Sequence, residues 1–186
     1  MRFSKTHLSG AFVLEPDRKI DERGFFVRTY CARELEAQGI RFVVAQSNLS
    51  FNRRAGTVRG MHLQAPPVAE SKLVRCSRGA MYDVIVDLRP ASPTYLQHVA
   101  LELSDVNGRS LYVPPGFAHG FQTLTDNVEV EYLMGDFHVP ACDRGLRYDD
   151  PALGIRWPLP VSAISDKDRA WPPLLAVSNA DAGVCQ

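Results

Sequence analysis

The chain has 186 residues, enough for one domain with a substantial core. Hydrophobic residues make up 45% and charged residues 23%, which fits a globular protein and excludes a disordered or fibrous one. Lysine plus arginine and aspartate plus glutamate each number 21, so formal net charge is zero; nothing favours a broad nucleic-acid or anionic-membrane surface, and a small cationic pocket is not excluded.

The opening stretch MRFSKTHLSGAF carries early charges and only a short apolar piece, so it reads as the start of a fold and not as a signal peptide. No apolar run reaches transmembrane length. Next comes a helix candidate, CARELEAQG at Cys31 to Gly39, with good helix formers and a terminal glycine suited to a left-handed cap. From there to about residue 138 the chain is strand-like. RFVVAQSNLSF is rich in β-formers, and KLVRCSRGAMYDVIVDL reads as two strands parted by Gly79. QHVALELSD alternates Val99, Leu101 and Leu103 with Ala100 and Glu102. Asn107-Gly108 then predicts a two-residue hairpin turn. NVEVEYLMGDF alternates again, Val128, Val130 and Tyr132 against Glu129 and Glu131. Without a helix after each strand, a parallel sheet is excluded and an antiparallel sandwich or barrel is expected. DDPALGIRWPLPVSAISDKDRAWPPL reads as an extended segment laid over the body, and the tail from about residue 172 as flexible. Cys31, Cys76, Cys142 and Cys185 are far apart and form no CxxC pair. That spacing predicts isolated thiols in a reducing cytoplasm, with no zinc site and no disulfide framework.

Side chains alternate between strand faces, so parity places candidate chemistry. Tyr132 shares parity with Val128 and Val130, Lys72 with Val74 and Cys76, and His62 with Val58 and Gly60. Three strands thus aim His62, Lys72 and Tyr132 into one barrel. An inward lysine is costly without a partner or a wet cavity. Chemistry beside a carbonyl uses such a set: a base takes the proton, a cation holds the enolate oxygen, and an acid returns a proton. Taken one at a time, each residue also has a plain role in packing. Arg59, in GTVRGMHLQAPP, has the opposite parity to His62, so one of the two belongs at a bend or rim.

In the order DERGFF, QSNLS, VRGMHLQ, KLVRCSRGAMYDVIVDLR, SPTY, VPPGFAHGF, EVEY, DDPALGIRWP and SDKD, the sequence resembles the dTDP-4-dehydrorhamnose 3,5-epimerases. The resemblance covers most of the chain and implies one all-β domain over residues 1–186, a cupin-type antiparallel jelly roll with a few short helices. It implies epimerisation at C3 and/or C5 of a nucleotide-diphospho-4-keto-6-deoxy sugar, with no cofactor and no metal. By the same resemblance His62 is the base, Asp168 its carboxylate partner, Tyr132 the acid and Lys72 the cation at the keto oxygen. Arg23, Gln46, Asn48, Arg59, His119, His138, Asp143 and Lys167 fall where the family binds the sugar nucleotide. The family further implies a homodimer that exchanges an N-terminal strand. Arg28, Leu63, Leu133, His138 and Asp143 depart from the usual residues, chiefly on the nucleotide side.

Competing readings are an epimerase acting at C3 or C5 alone, a metal-dependent cupin oxygenase, and a sugar-nucleotide binding module without catalysis. The oxygenase would need clustered ligands, and no His-x-His occurs.

Overall fold

Alternating apolar and polar side chains draw 42% of the residues into strands that bury one or both faces. Residues 1–174 are described in this structure, a computed structural model. Their strands begin with β1 (Arg2–Lys5), β2 (Phe12–Glu15), β3 (Lys19–Asp21) and β4 (Gly24–Phe26). After helix α1 (Ala32–Glu36) come β5 (Gln46–Asn52), β6 (Val58–Gln64), β7 (Lys72–Arg78) and β8 (Ala80–Asp87). Then follow β9 (His98–Ser104), β10 (Ser110–Val113), β11 (Phe117–Thr123) and β12 (Val128–Met134). A short 3-10 turn (Pro140–Cys142), β13 (Asp143–Gly145) and helix α2 (Asp166–Arg169) complete the set.

Two sheets face each other. One has the order β1-β2-β10-β7-β12-β5, the other β13-β6-β11-β8-β9, and β3-β4 stands apart as a hairpin. All pairings between these strands are antiparallel. From β5 to β8 each successive strand changes sheet; β9 stays beside β8, and β10, β11 and β12 alternate again. This is a jelly roll, the architecture expected of the sequence.

The inner faces hold the main core, including Val74, Cys76, Met81, Ile85, Phe117, Phe121, Val128 and Val130. Both outer faces are covered as well. Leu35, Ile40 and Phe42 pack on Leu73 and Tyr112 over one sheet. Leu146, Leu153 and Trp157 pack over Met61, Val84 and Val86 of the other. Double coverage explains the near-continuous apolar run of β8.

Several local expectations change. Helix α1 is shorter than the predicted Cys31–Gly39, and Gly39 lies beyond it with φ +76°. Asn107-Gly108 does not close a hairpin, because β9 and β10 lie in different sheets. Its Asn107 side chain instead accepts the backbone N–H groups of Ser104 and Arg109 at 3.1 and 2.9 Å, bracing a sheet-to-sheet turn. Cys31 and Cys76 are free thiols. Cys142 is disulfide-bonded, a correction to the expected isolated thiols. Separation along a chain does not keep two sulfurs apart once it folds. The tail predicted to be flexible lies largely outside the described residues.

The SPT block also finds a structural use. Buried Asp87 accepts from Arg89 Nη2 at 2.7 Å, Ser92 Oγ at 2.5 Å and Thr94 Oγ1 at 2.6 Å. Burial pushes its carboxyl up, but these donors outweigh that and hold it well below the usual carboxylate range. The loop after β8 is therefore pinned to the end of its own strand.

Candidate active site

The site begins with an irregularity in β6. Opposite β11, His62 pairs with His119 and Arg59 with Phe121, three steps on one strand against two on the other. The extra residue makes a β-bulge. Gly60 sits there with φ +129°, and a Cβ on it would lie 2.6 Å from the Gly120 Cα. Only glycine fits both the dihedral and the close approach. The bulge resets parity, so Arg59 and His62 line the same cavity, while Met61 between them packs into the outer cluster.

That inner cavity has a volume of about 270 Å³ and opens between the two sheets. Arg59 and His62 from β6, Lys72 from β7, His119 from β11, Tyr132 from β12 and Asn48 from β5 line it. Five strands thus contribute polar groups to one chamber.

Two His–carboxylate pairs stand in it. His62 Nε2 lies 2.6 Å from Asp168 Oδ1. Asp168 Oδ2 accepts the Gly60 N–H at 3.2 Å, and its own N–H donates to Ser165 Oγ, the cap of α2, at 3.0 Å. Burial pushes the Asp168 carboxyl up; the His62 hydrogen bond and charge, with Gly60 and Ser165, overcome this and hold it below its ordinary value. With Nε2 on the carboxylate, the other His62 ring nitrogen has no partner among the described residues and can take a proton. The second pair is buried: His119 Nε2 lies 2.7 Å from Asp83 Oδ1, and Asp83 is 0% exposed. Asp83 Oδ2 has no partner among the described residues.

Tyr132 stands edge-on to His119, ring centroids 6.0 Å apart. Burial, then the nearby Asp83 charge, pushes its phenol far above the ordinary range, with Arg59 opposing. The Tyr132 phenol therefore keeps its proton at neutral pH. Lys72 and Glu70 form an ion pair of 2.9 Å, both almost fully buried.

A second cavity of about 350 Å³ adjoins the first and shares Asn48, Arg59, His62 and Met134 with it. Gln46, His138, Asp143, Lys167 and Trp171 line its outer region. Asp143 joins His138 Nε2 at 2.9 Å and Lys167 Nζ at 3.0 Å. Burial raises the Asp143 carboxyl, and Lys167 and His138 more than offset it, so it stays below the usual value. Gln46 accepts the His138 backbone N–H at 2.7 Å.

Arg23 is the predicted site residue that the fold does not bring in. It lies on the β3-β4 hairpin, 84% exposed, paired with Asp21 at 2.6 Å, and lines neither cavity. Sequence reasoning in turn missed Asn52, Gln64, Glu70, Asp83 and Trp171. Asn52 Oδ1 accepts from Arg59 Nε at 2.7 Å and aims the guanidinium. Asp83 left a usable signal, a carboxylate on the core-facing parity of an apolar strand, which requires a partner. The others are visible only once the sheets are assembled.

Among the described residues no group of three His, Cys, Asp or Glu side chains is placed to hold a metal ion. The clustered ligands that a metal-dependent cupin oxygenase needs are thus not found among the described residues. No helix among the described residues is long and apolar enough to cross a membrane.

Comparison with known proteins identifies the family. The profile of the family described as dTDP-4-dehydrorhamnose 3,5-epimerase matches residues 5–176. A dTDP-4-dehydrorhamnose 3,5-epimerase of Methanothermobacter thermautotrophicus is 43% identical over 93% of this chain and 94% of its own. A dTDP-4-dehydrorhamnose 3-epimerase of Streptomyces niveus is 37% identical over 99% of this chain and 88% of its own. The solved dTDP-6-deoxy-D-glucose-3,5-epimerase of Legionella pneumophila, in complex with dTDP-4-keto-L-rhamnose, superposes with a TM-score of 0.91 at 35% identity, covering 100% of this chain and 98% of that one. Matching profile, matching fold and relatives of about 40% identity over most of the chain lead to one conclusion: the chain belongs to the dTDP-4-dehydrorhamnose 3,5-epimerase family.

Proposed function

We propose that this protein epimerises dTDP-4-keto-6-deoxyglucose at C3 and C5, giving dTDP-4-dehydrorhamnose. His62 takes the proton from the carbon beside the ketone, and Asp168 balances the imidazolium so formed. The C–H electron pair moves into the enolate, whose oxygen Lys72 faces. Tyr132 returns its phenolic proton to the carbon from the opposite side, and solvent resets both groups. Arg59, aimed by Asn52, holds the diphosphate, for which a guanidinium fork is suited. His119 and Asn48 contact the sugar end; Gln46, His138, Asp143 and Lys167 form the nucleoside end. The observation that carries this reading is the convergence of His62–Asp168, Lys72 and Tyr132 on one cavity.

Incubation with the substrate in heavy water tests it. Deuterium is expected at both C3 and C5, with rhamno-configured product. No uptake by folded protein would overturn the reading. Deuterium and inversion at C3 alone would instead support a 3-epimerase, the reaction named for the Streptomyces niveus relative.

The working unit in this reading is a homodimer. The β3-β4 hairpin exposes Ile20, Phe25 and Phe26, and edge strand β5 exposes Leu49 and Phe51. Apolar surface of this kind marks an interface. Because β1 pairs with β2 of its own chain, the hairpin is the segment offered to a second copy, carrying Arg23 toward that copy's diphosphate. Mixing Arg23→Ala protein with His62→Ala protein is then expected to restore activity that neither has alone. A monomer in sedimentation, with no restoration, would reject the dimer. A cytoplasmic location goes with this reading, since nucleotide-diphospho sugars are assembled from nucleoside triphosphates inside the cell.

A further inference from the structure

The mechanism uses Lys72 but leaves its neighbour Glu70 without a task. Glu70 is buried, and among the described residues it is the only anion paired with Lys72, at 2.9 Å. Its other oxygen, Oε2, accepts from Gln64 Nε2 at 3.0 Å. Gln64 is itself fixed at both ends of its amide. Its Nε2 also donates to the Phe137 carbonyl at 3.1 Å, and its Oε1 accepts the Val139 N–H at 2.6 Å. Glu70 therefore has no rotational freedom to spare. Gln64 lies two positions beyond His62 on β6. One strand thus positions the base directly and the ammonium through two intermediaries.

The chemistry gives this arrangement a purpose. A buried amine lacking an anionic neighbour favours its neutral form. A neutral amine donates weakly and supplies no charge to a developing enolate. A long, flexible lysine also needs a fixed contact if its remaining N–H groups are to point one way. The cavity offers no substitute, since Arg59, His62, His119 and Tyr132 are its other titratable or charged groups.

We propose that Glu70 is a positioning residue for catalysis, holding the Lys72 ammonium directed at the enolate oxygen. The proposal rests on the epimerase reading above and adds to it a residue outside the proton-transfer set.

The experiment compares wild type, Glu70→Gln, Lys72→Met and the double variant by deuterium uptake into dTDP-4-keto-6-deoxyglucose, with dTDP affinity measured beside it. Glutamine keeps the size and the bond from Gln64, and the double variant removes both buried charges together. Glu70→Gln is expected to lower kcat at least tenfold while KM and dTDP affinity stay within about twofold of wild type. In the Lys72→Met background the same change is expected to cost nothing further, because the residue it acts through is gone. A Glu70→Gln protein with wild-type kcat overturns the proposal. So does a loss confined to KM or dTDP affinity, or an equal further loss on top of Lys72→Met. Should Glu70→Gln alone fail to fold, the double variant decides: a rate well below that of Lys72→Met overturns it, an equal rate supports it. Wild-type protein that takes up no deuterium fails the epimerase reading itself, and the proposal falls with it.

Discussion

Replacing His62 with alanine will abolish deuterium uptake at C3 and C5 alike. In the base role proposed for it, His62 contributes about 10²–10⁴-fold, and nothing else in the cavity is placed to take over that work. Arg59 and Lys72 are cations, and Tyr132 is held in its neutral form. His119 is the one candidate replacement, but it lies 2.7 Å from buried Asp83 and is almost fully covered. His62 is different, with 41% of its side chain exposed toward the cavity. Removing it leaves Asp168 with its contacts from Gly60 and Ser165, so the fold should survive. Asp168→Asn is the companion test. It keeps the shape but removes the charge that balances the imidazolium, so its rate should fall between wild type and His62→Ala. Isotope incorporation followed by NMR checks both. Wild-type uptake in the His62→Ala protein would remove His62 from the base role.

Tyr132→Phe should uncouple proton exchange from inversion, events that normally run together. Product formation is expected to fall by about 10²–10⁴-fold, the usual contribution of a positioned acid. Some deuterium uptake at C3 is expected to persist. His62 can still draw off the proton, and its exposure lets that proton trade with solvent before it goes back. Without an acid on the far side, the deuteron returns to the face it left, giving exchange with retained configuration. The change is gentle on the fold, because the Tyr132 hydroxyl has no hydrogen-bond partner among the described residues. Equal loss of exchange and of inversion would count against separate roles for His62 and Tyr132.

Much of this was legible in the amino-acid order, and the reasons differ by residue. Lys72 and Tyr132 could be assigned to the inner face because β7 and β12 pair without a slip from Val130 and Cys76 to Met134 and Lys72. Arg59 and His62 could not both be placed by parity, since the bulge at Gly60 inserts a residue that counting cannot see. Asp168 was named only through family resemblance. It reaches His62 across 106 positions of chain, and no periodicity spans such a distance. Glu70 and Gln64 were silent because their meaning lies in a junction between strands and a loop. Asn107-Gly108 misled for a related reason: turn chemistry specifies a reversal of the chain, not which sheet receives the next strand.

The bond between His62 and Asp168 also has a bearing on how the protein comes into being. Every strand among the described residues precedes α2, so a ribosome releases those sheets before it releases the carboxylate. A nascent barrel, even one already closed around its cavity, holds an imidazole that lacks its counter-charge. In the reading proposed above, competence to scramble stereocentres thus waits on a four-residue helix, made after these strands, that seats Asp168.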